Sequence, residues 1–177
     1  MTQNCLSGFR AISVVLIASV LFLSANAFAV DDVQTAVFFS GSSAARSSSS
    51  EKRLLELVNA ERAKINAGTL KWDSRLGNLA RNYSSKMASE NFFGHKDRSG
   101  KSLIDRIKDF DITNWTGIGE NLYSCQGYDD PTEPAVLGWL KSSGHRANLL
   151  NSSWKSTGIG IAKSSDGKIY VTQVFMK

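Results

Sequence analysis

"STGIGIAKSSDGKIYVTQVF", Ser156 to Phe175, decides the fold. It reads as two strands joined through Asp166-Gly167, a favoured hairpin turn. In the first strand Gly158, Gly160 and Ala162 leave one face nearly bare, while Ile159 and Ile161 fill the other. A bare strand face predicts that another element approaches closely there. A third strand, "TGIGENLYS" (Thr116 to Ser124), repeats the habit with Gly117 and Gly119.

The elements to cover such a sheet lie upstream. "EKRLLELVNAERAKIN" sets Leu54, Leu57, Val58, Ala60 and Ile65 on one helical stripe, with Ser48 and Glu51 at capping-box spacing and Gly68 stopping the run. A second helix begins behind Asp73 and repeats Leu76, Leu79, Ala80, Tyr83 and Met87 at three- and four-residue steps. A third, "TEPAVLGWLKSS", is capped by Thr132, carries Pro134 in its first turn and buries Val136, Trp139 and Leu140. Two amphipathic helices ahead of the strands and one between them predict α+β layers around a sheet.

Strand alternation places Glu120 on the same face as Ile118 and Leu122. A carboxylate on an apolar face is costly unless paired, and a histidine is a suitable partner; otherwise the strand twists outward and Glu120 is solvated. The chain has two histidines, each behind a glycine. His145 opens the short helical stretch "HRANLL", whose N-terminus favours neutral imidazole, the form that binds zinc or accepts a proton. His95 stands between Phe92-Phe93 and the charged loop "KDRSGK". Each could equally be a structural histidine bonded to a loop carbonyl, and no "HExxH" or other short ligand cluster decides the matter.

The ordered motifs "LLELVNAERA", "LKWDSRLGNLARNYSSKM", "FFGH", "GENLY", "GWLKSSGHRANLL", "GIGIA" and "YVTQVF" do decide more. Together they resemble the CAP superfamily (cysteine-rich secretory proteins, antigen 5 and pathogenesis-related 1), and most closely its short bacterial SCP-like branch. The resemblance spans residues 51–177. It implies a three-layer α-β-α sandwich with a central, mostly antiparallel sheet and a broad cleft. It also implies that His95, Glu120 and His145 share that cleft within one hydrogen-bond or coordination shell, and that His95 and His145 hold Zn2+ or another divalent cation. The fourth member of the family's two-histidine, two-glutamate set falls on Ser142, which is no acid. Glu133 suits the first turn of its helix instead.

Three functions follow from that resemblance. One is a secreted protein binding a divalent metal or a small amphipathic, lipid-like ligand in the cleft. A second is a metal-assisted peptidase or esterase with Glu120 as base, against which the absent fourth acid weighs. The third is an interaction module of the cell envelope. Asn121 and Asn148 read as ties between loops and backbone, and Trp72, Trp139 and Trp154 as core. Tyr123 can face the cleft or the core.

The remaining features bound the setting. Arg10 is the only charge before Asp31, the apolar run Ala11–Leu23 follows it, and small residues then offer cleavage after Ala27 or Ala29. That pattern predicts a signal peptide over residues 1–29, an extracellular or periplasmic protein, and no membrane span after cleavage. Residues 30–50, with "SGSSAARSSSS", read as a Ser-rich flexible linker before a domain at 51–177. The net charge of +5 is dispersed without a Lys/Arg run, which excludes a nucleic-acid signature. Cleavage would remove Cys5, leaving Cys125 as a buried thiol or an intermolecular partner.

Overall fold

The computed structural model describes residues 48–177; the expected signal peptide and cleavage site, Cys5 and the expected linker up to residue 47 lie outside them. The sheet is built on the hairpin. β3 (Ser156–Lys163) and β4 (Ile169–Met176) pair antiparallel, and Gly167 takes the left-handed conformation (φ 85°) that the turn requires. β2 (Ile118–Cys125) pairs antiparallel with β4, bringing Glu120 opposite Val174 and Asn121 opposite Gln173. A two-residue strand, β1 (Lys71–Trp72), adds parallel to β3, giving the order β1-β3-β4-β2. The sequence pattern had left β1 unread, because two residues carry no alternation.

Helices cover both faces. α2 (Ser74–Glu90) starts behind Asp73, whose carboxylate accepts from the Arg75 and Leu76 amides, and ends at left-handed Asn91. Its predicted stripe of Leu76, Leu79, Ala80, Tyr83 and Met87 is fully buried. It lies on the bare face of β3, and side chains at Gly158 or Gly160 would run into the backbone of Leu76–Gly77 or Ala80–Arg81. Ser84 Oγ reinforces the contact, donating to Gly160 O and accepting from the Thr172 hydroxyl, each at 2.9 Å. α3 (Leu103–Asp109) joins the same layer, with Ile107 packed beside Leu76, Leu79 and Val174.

The opposite face takes α1 (Ser49–Ala63), α4 (Thr132–Lys141) and α5 (Ser143–Leu150), with Leu54, Val58, Trp139 and Leu149 packed over Ile159, Val171 and Phe175. The result is a three-layer α-β-α sandwich with a mixed sheet in which two of three pairings are antiparallel.

Several local expectations need correction. α1 begins at Ser49, so Ser48–Ser50 form its capped start and not the end of the linker; Ser48 and Glu51 make the reciprocal capping box. Its buried stripe runs Glu51, Leu54, Val58, Arg62, while Ala60 is exposed and Ile65 is 53% exposed, beyond the helix end at Ala63. Arg62 can be buried because its guanidinium donates to Ala67 O, Gly68 O, Leu149 O and Asn151 O at 2.8–2.9 Å. At α4 the cap comes from Asp130, which accepts from both the amide and the hydroxyl of Thr132.

The close approach of α2 to β3 yields a direct test. Gly160→Ala should lower stability by about 1–3 kcal/mol, the usual cost of overpacking, because the clash is with backbone. Gly144→Ala, which meets open space, should shift the thermal midpoint negligibly. Thermal unfolding followed by circular dichroism compares the two.

Candidate functional site

Glu120 is 7% exposed on the α2 face of β2, so its charge needs partners within the protein. It has two. Oε1 lies 2.8 Å from His95 Nδ1, and Oε2 accepts a short bond from Arg106 Nη2. Against an ionised carboxylate, Nδ1 is the imidazole nitrogen that carries the proton, which leaves Nε2 free. The solvated alternative for Glu120 is thereby excluded, and the partner that neutralises it is an arginine as much as a histidine.

The segment carrying His95 is fixed from several sides. Tyr83 Oη donates to Gly94 O at 2.5 Å. Asp97, buried, accepts from Lys86 Nζ at 2.7 Å, from the Ser99 hydroxyl and amide, and from the Lys101 amide. The Lys86 contact, helped by Ser99, holds the Asp97 carboxyl far below the usual carboxylate range. Arg98 donates to Glu90 O and Asn91 O at the end of α2. Burial among these groups pushes the Tyr83 phenol up to about 12.

The second wall comes from α5. Asn121 Nδ2 donates to His145 O at 3.0 Å, and Asn148 Nδ2 is shared between Glu120 O and Asn121 Oδ1, both at 3.2 Å. Both asparagines therefore act as ties between backbone segments. Trp154 donates to Asn148 O, and Gly119 is bare because a side chain there would press on the Trp154 ring. Trp139 is fully buried, Trp154 nearly so, and Trp72 is half-buried against the same core. Tyr123 lies on the other face of the sheet, against Gly138 of α4, and does not enter the cleft.

Between these walls lies a cleft of about 530 Å³ lined by His95, Glu120, Ser142 and His145, with Lys96, Gly119, Asn148 and an apolar side of Leu103, Ile104 and Ile118. Its size is that of an ordinary small-molecule site. The two imidazole rings stand 6.1 Å apart, tilted by 45°. The four residues expected in the cleft thus line one space. Their connection is uneven: His95 bonds Glu120 directly, while His145 is His95's neighbour. Among the described residues, no three His, Cys, Asp or Glu side chains gather into a group able to hold a metal ion. Arg106 was missed by sequence reasoning; its place on a short helix in a charged stretch reads as solvated surface. Cys125 is buried and free, and burial pushes its thiol up.

Residues 55–175 match the Cysteine-rich secretory protein family, CAP. The chain belongs to the CAP family. It is 36% identical over 128 residues to the uncharacterized membrane protein YlbC of Bacillus subtilis (strain 168), covering 72% of this chain and 34% of YlbC. With YkwD of the same organism it shares 37% over 127 residues, covering 72% of this chain and 47% of YkwD. The chain therefore spans less than half the length of either relative. Among solved structures, an extracellular SCP-domain protein from Bacillus anthracis str. Ames superimposes with a TM-score of 0.61 at 29% identity, over 72% of this chain and 40% of that one. An outer surface protein of Borrelia burgdorferi gives a TM-score of 0.65 at 25% identity, over 72% of this chain and 92% of that one. No described helix of this CAP domain is long and apolar enough to cross a membrane.

The two histidines are pushed apart in proton affinity. The hydrogen bond from Glu120 raises His95 above the ordinary 6.5, whereas burial, and then the nearby His95, lowers His145 below it. A raised histidine stabilises the fold at low pH and loses that contribution as pH rises through its folded value; a lowered one opposes folding as pH falls below its unfolded value. The two contributions therefore oppose one another below 6.5, and neither remains once the pH is above the raised value of His95. In a proton NMR titration of the ring signals, His95 should titrate above 6.5 and His145 below it. Glu120→Gln should bring His95 back down while leaving His145 little changed.

Proposed function

We propose that this CAP-domain chain is a secreted protein whose cleft binds a divalent cation through His95 and His145, with the ion's remaining positions open to a small amphipathic ligand. The observation that carries this reading is the neighbouring pair of imidazoles, 6.1 Å between ring centres, lining one cleft. An ion bound by imidazole sits about 3 Å from the ring centre, so rings at this separation are within the span of one ion. Imidazole donors suit zinc among the common divalent ions. The Glu120–His95 bond is the carboxylate support that metal-bound histidines commonly have. The apolar side, where Ile104 is 38% exposed, favours a ligand with an aliphatic part. Export is supported by the predicted signal peptide and by the extracellular and outer-surface descriptions of the two structural neighbours.

Binding is favoured over catalysis. A hydrolase would ask Glu120 to take a proton from water, whereas here its two oxygens already accept from His95 and from the Arg106 guanidinium, which favours the charged carboxylate. Ser142 supplies no second acid.

Calorimetric titration of the purified chain with zinc tests the proposal. Micromolar binding is expected in the wild type and should be lost in His95→Ala and in His145→Ala, each with unchanged circular dichroism. Because zinc displaces a proton from the raised His95, affinity should climb as pH increases through neutrality and level off above it. No heat in the folded wild type would remove the metal from the proposal.

A further inference from the structure

Arg106 belongs to none of the motifs that carry the family resemblance, yet it is buried beside the cleft with both terminal nitrogens bonded, and its Nε alone has no hydrogen-bond partner among the described residues. It is 6% exposed. One guanidinium nitrogen, Nη2, binds Glu120 Oε2. The other, Nη1, donates to the backbone carbonyl of His95 at 3.2 Å and more weakly to Lys101 O at 3.4 Å. The plane of the group is set by Tyr83, whose ring centre lies 3.4 Å from Arg106 Cζ. Tyr83 in turn anchors Gly94, the residue before His95.

A carboxylate with one free oxygen could rotate, bind an ion or take up a proton. Here neither oxygen is without a partner: Arg106 holds Oε2, and Oε1 lies against His95 Nδ1, which restrains rotation of the carboxylate. Arg106 also holds the backbone from which that imidazole projects, so ring and main chain are set by one side chain. A planar, permanently charged fork can do this; an ammonium, as a point donor, cannot hold both places at once.

We propose that Arg106 is a positioning residue of the cleft, acting through Glu120 to fix His95 as the Nδ1–H tautomer and so present Nε2 to the ligand. The proposal rests on the reading of the cleft as a histidine-lined binding site. In it Glu120 is neither base nor metal ligand, and the protein's contribution to a bound ion is the two imidazoles.

The test compares wild type, Arg106→Gln and Arg106→Lys by 15N NMR of the histidine rings in mildly alkaline buffer, where neutral imidazole reveals its tautomer, together with zinc titration. Circular dichroism checks the fold of each. Wild-type His95 is expected to be almost wholly Nδ1–H. Arg106→Gln should populate the Nε2–H tautomer and weaken zinc about 10- to 100-fold, the usual loss when the partner of a metal-bound histidine is removed. Arg106→Lys, which keeps the charge, should restore only part of either. A wild-type His95 found as Nε2–H overturns the proposal, even if both variants fail to fold. So does a folded variant that keeps the wild-type tautomer, because a residue that only anchors the core would leave the ring unchanged. If the tautomer shifts as expected and the wild type binds no zinc, the positioning role stands and the metal reading falls.

Discussion

A carboxylate buried against an apolar helix is the constraint on which the site depends. Glu120 sits on the α2 side of β2, in line with Ile118 and Leu122, where an unpaired negative charge would cost several kcal/mol. Compensation has to come from outside the strand. It draws in α3, which supplies Arg106, and the segment after α2, which supplies His95. The loop between α2 and α3 is accordingly held at Gly94, Asp97 and Arg98. One charge, buried on the apolar face of β2, thus organises half of the cleft.

The other half is organised by backbone groups. As an edge strand, β2 directs the carbonyls of Glu120 and Leu122 away from β4, and Asn148 and Trp139 satisfy them. Those bonds seat α4 and α5 against the edge and bring His145 to the cleft. Arg62 does related work at the far end of α5, where it takes the carbonyls of Leu149 and Asn151. A cation at a helix C-terminus is favoured by the helix dipole, and burial depresses the proton affinity of this guanidinium without removing its charge. His145 is therefore set by main-chain bonds, whereas His95 is set through its ring.

This difference explains what could be read from the sequence. The hairpin, the α2 stripe and the bare face of β3 follow from turn residues and from periods of two or 3.6 residues, and the structure has them; alternation put Glu120 on the apolar face but left open whether it was buried or solvated. The cleft residues His95, Ser142 and His145 came from ordered motifs matched to a family; spacing alone left both histidines ambiguous. Arg62 and Arg106 were out of reach of either route. Local patterns assign a charged residue on a helix to the solvent, and only the partners, up to 89 residues away for Arg62, reverse the assignment. Ile65 failed for the complementary reason: it keeps the helical period, but the helix has ended two residues earlier. β1 is too short to show any period.

The two imidazoles of the cleft are held unequally. The His95 ring is committed on one side by Glu120, while the described residues give the His145 ring no hydrogen-bond partner, only the neighbouring imidazole. With its backbone tied by Asn121, the His145 ring lacks the hydrogen bond that orients His95. Rotation of that one ring can adjust the spacing between the donors without disturbing the buried ion pair beneath His95. Ser142, at the position where the family resemblance places an acid, adds no second charge requiring a fixed partner. Under the proposed binding role, two rings restrained so unequally suit a guest of variable shape, whereas a proton transfer would need both groups held in register.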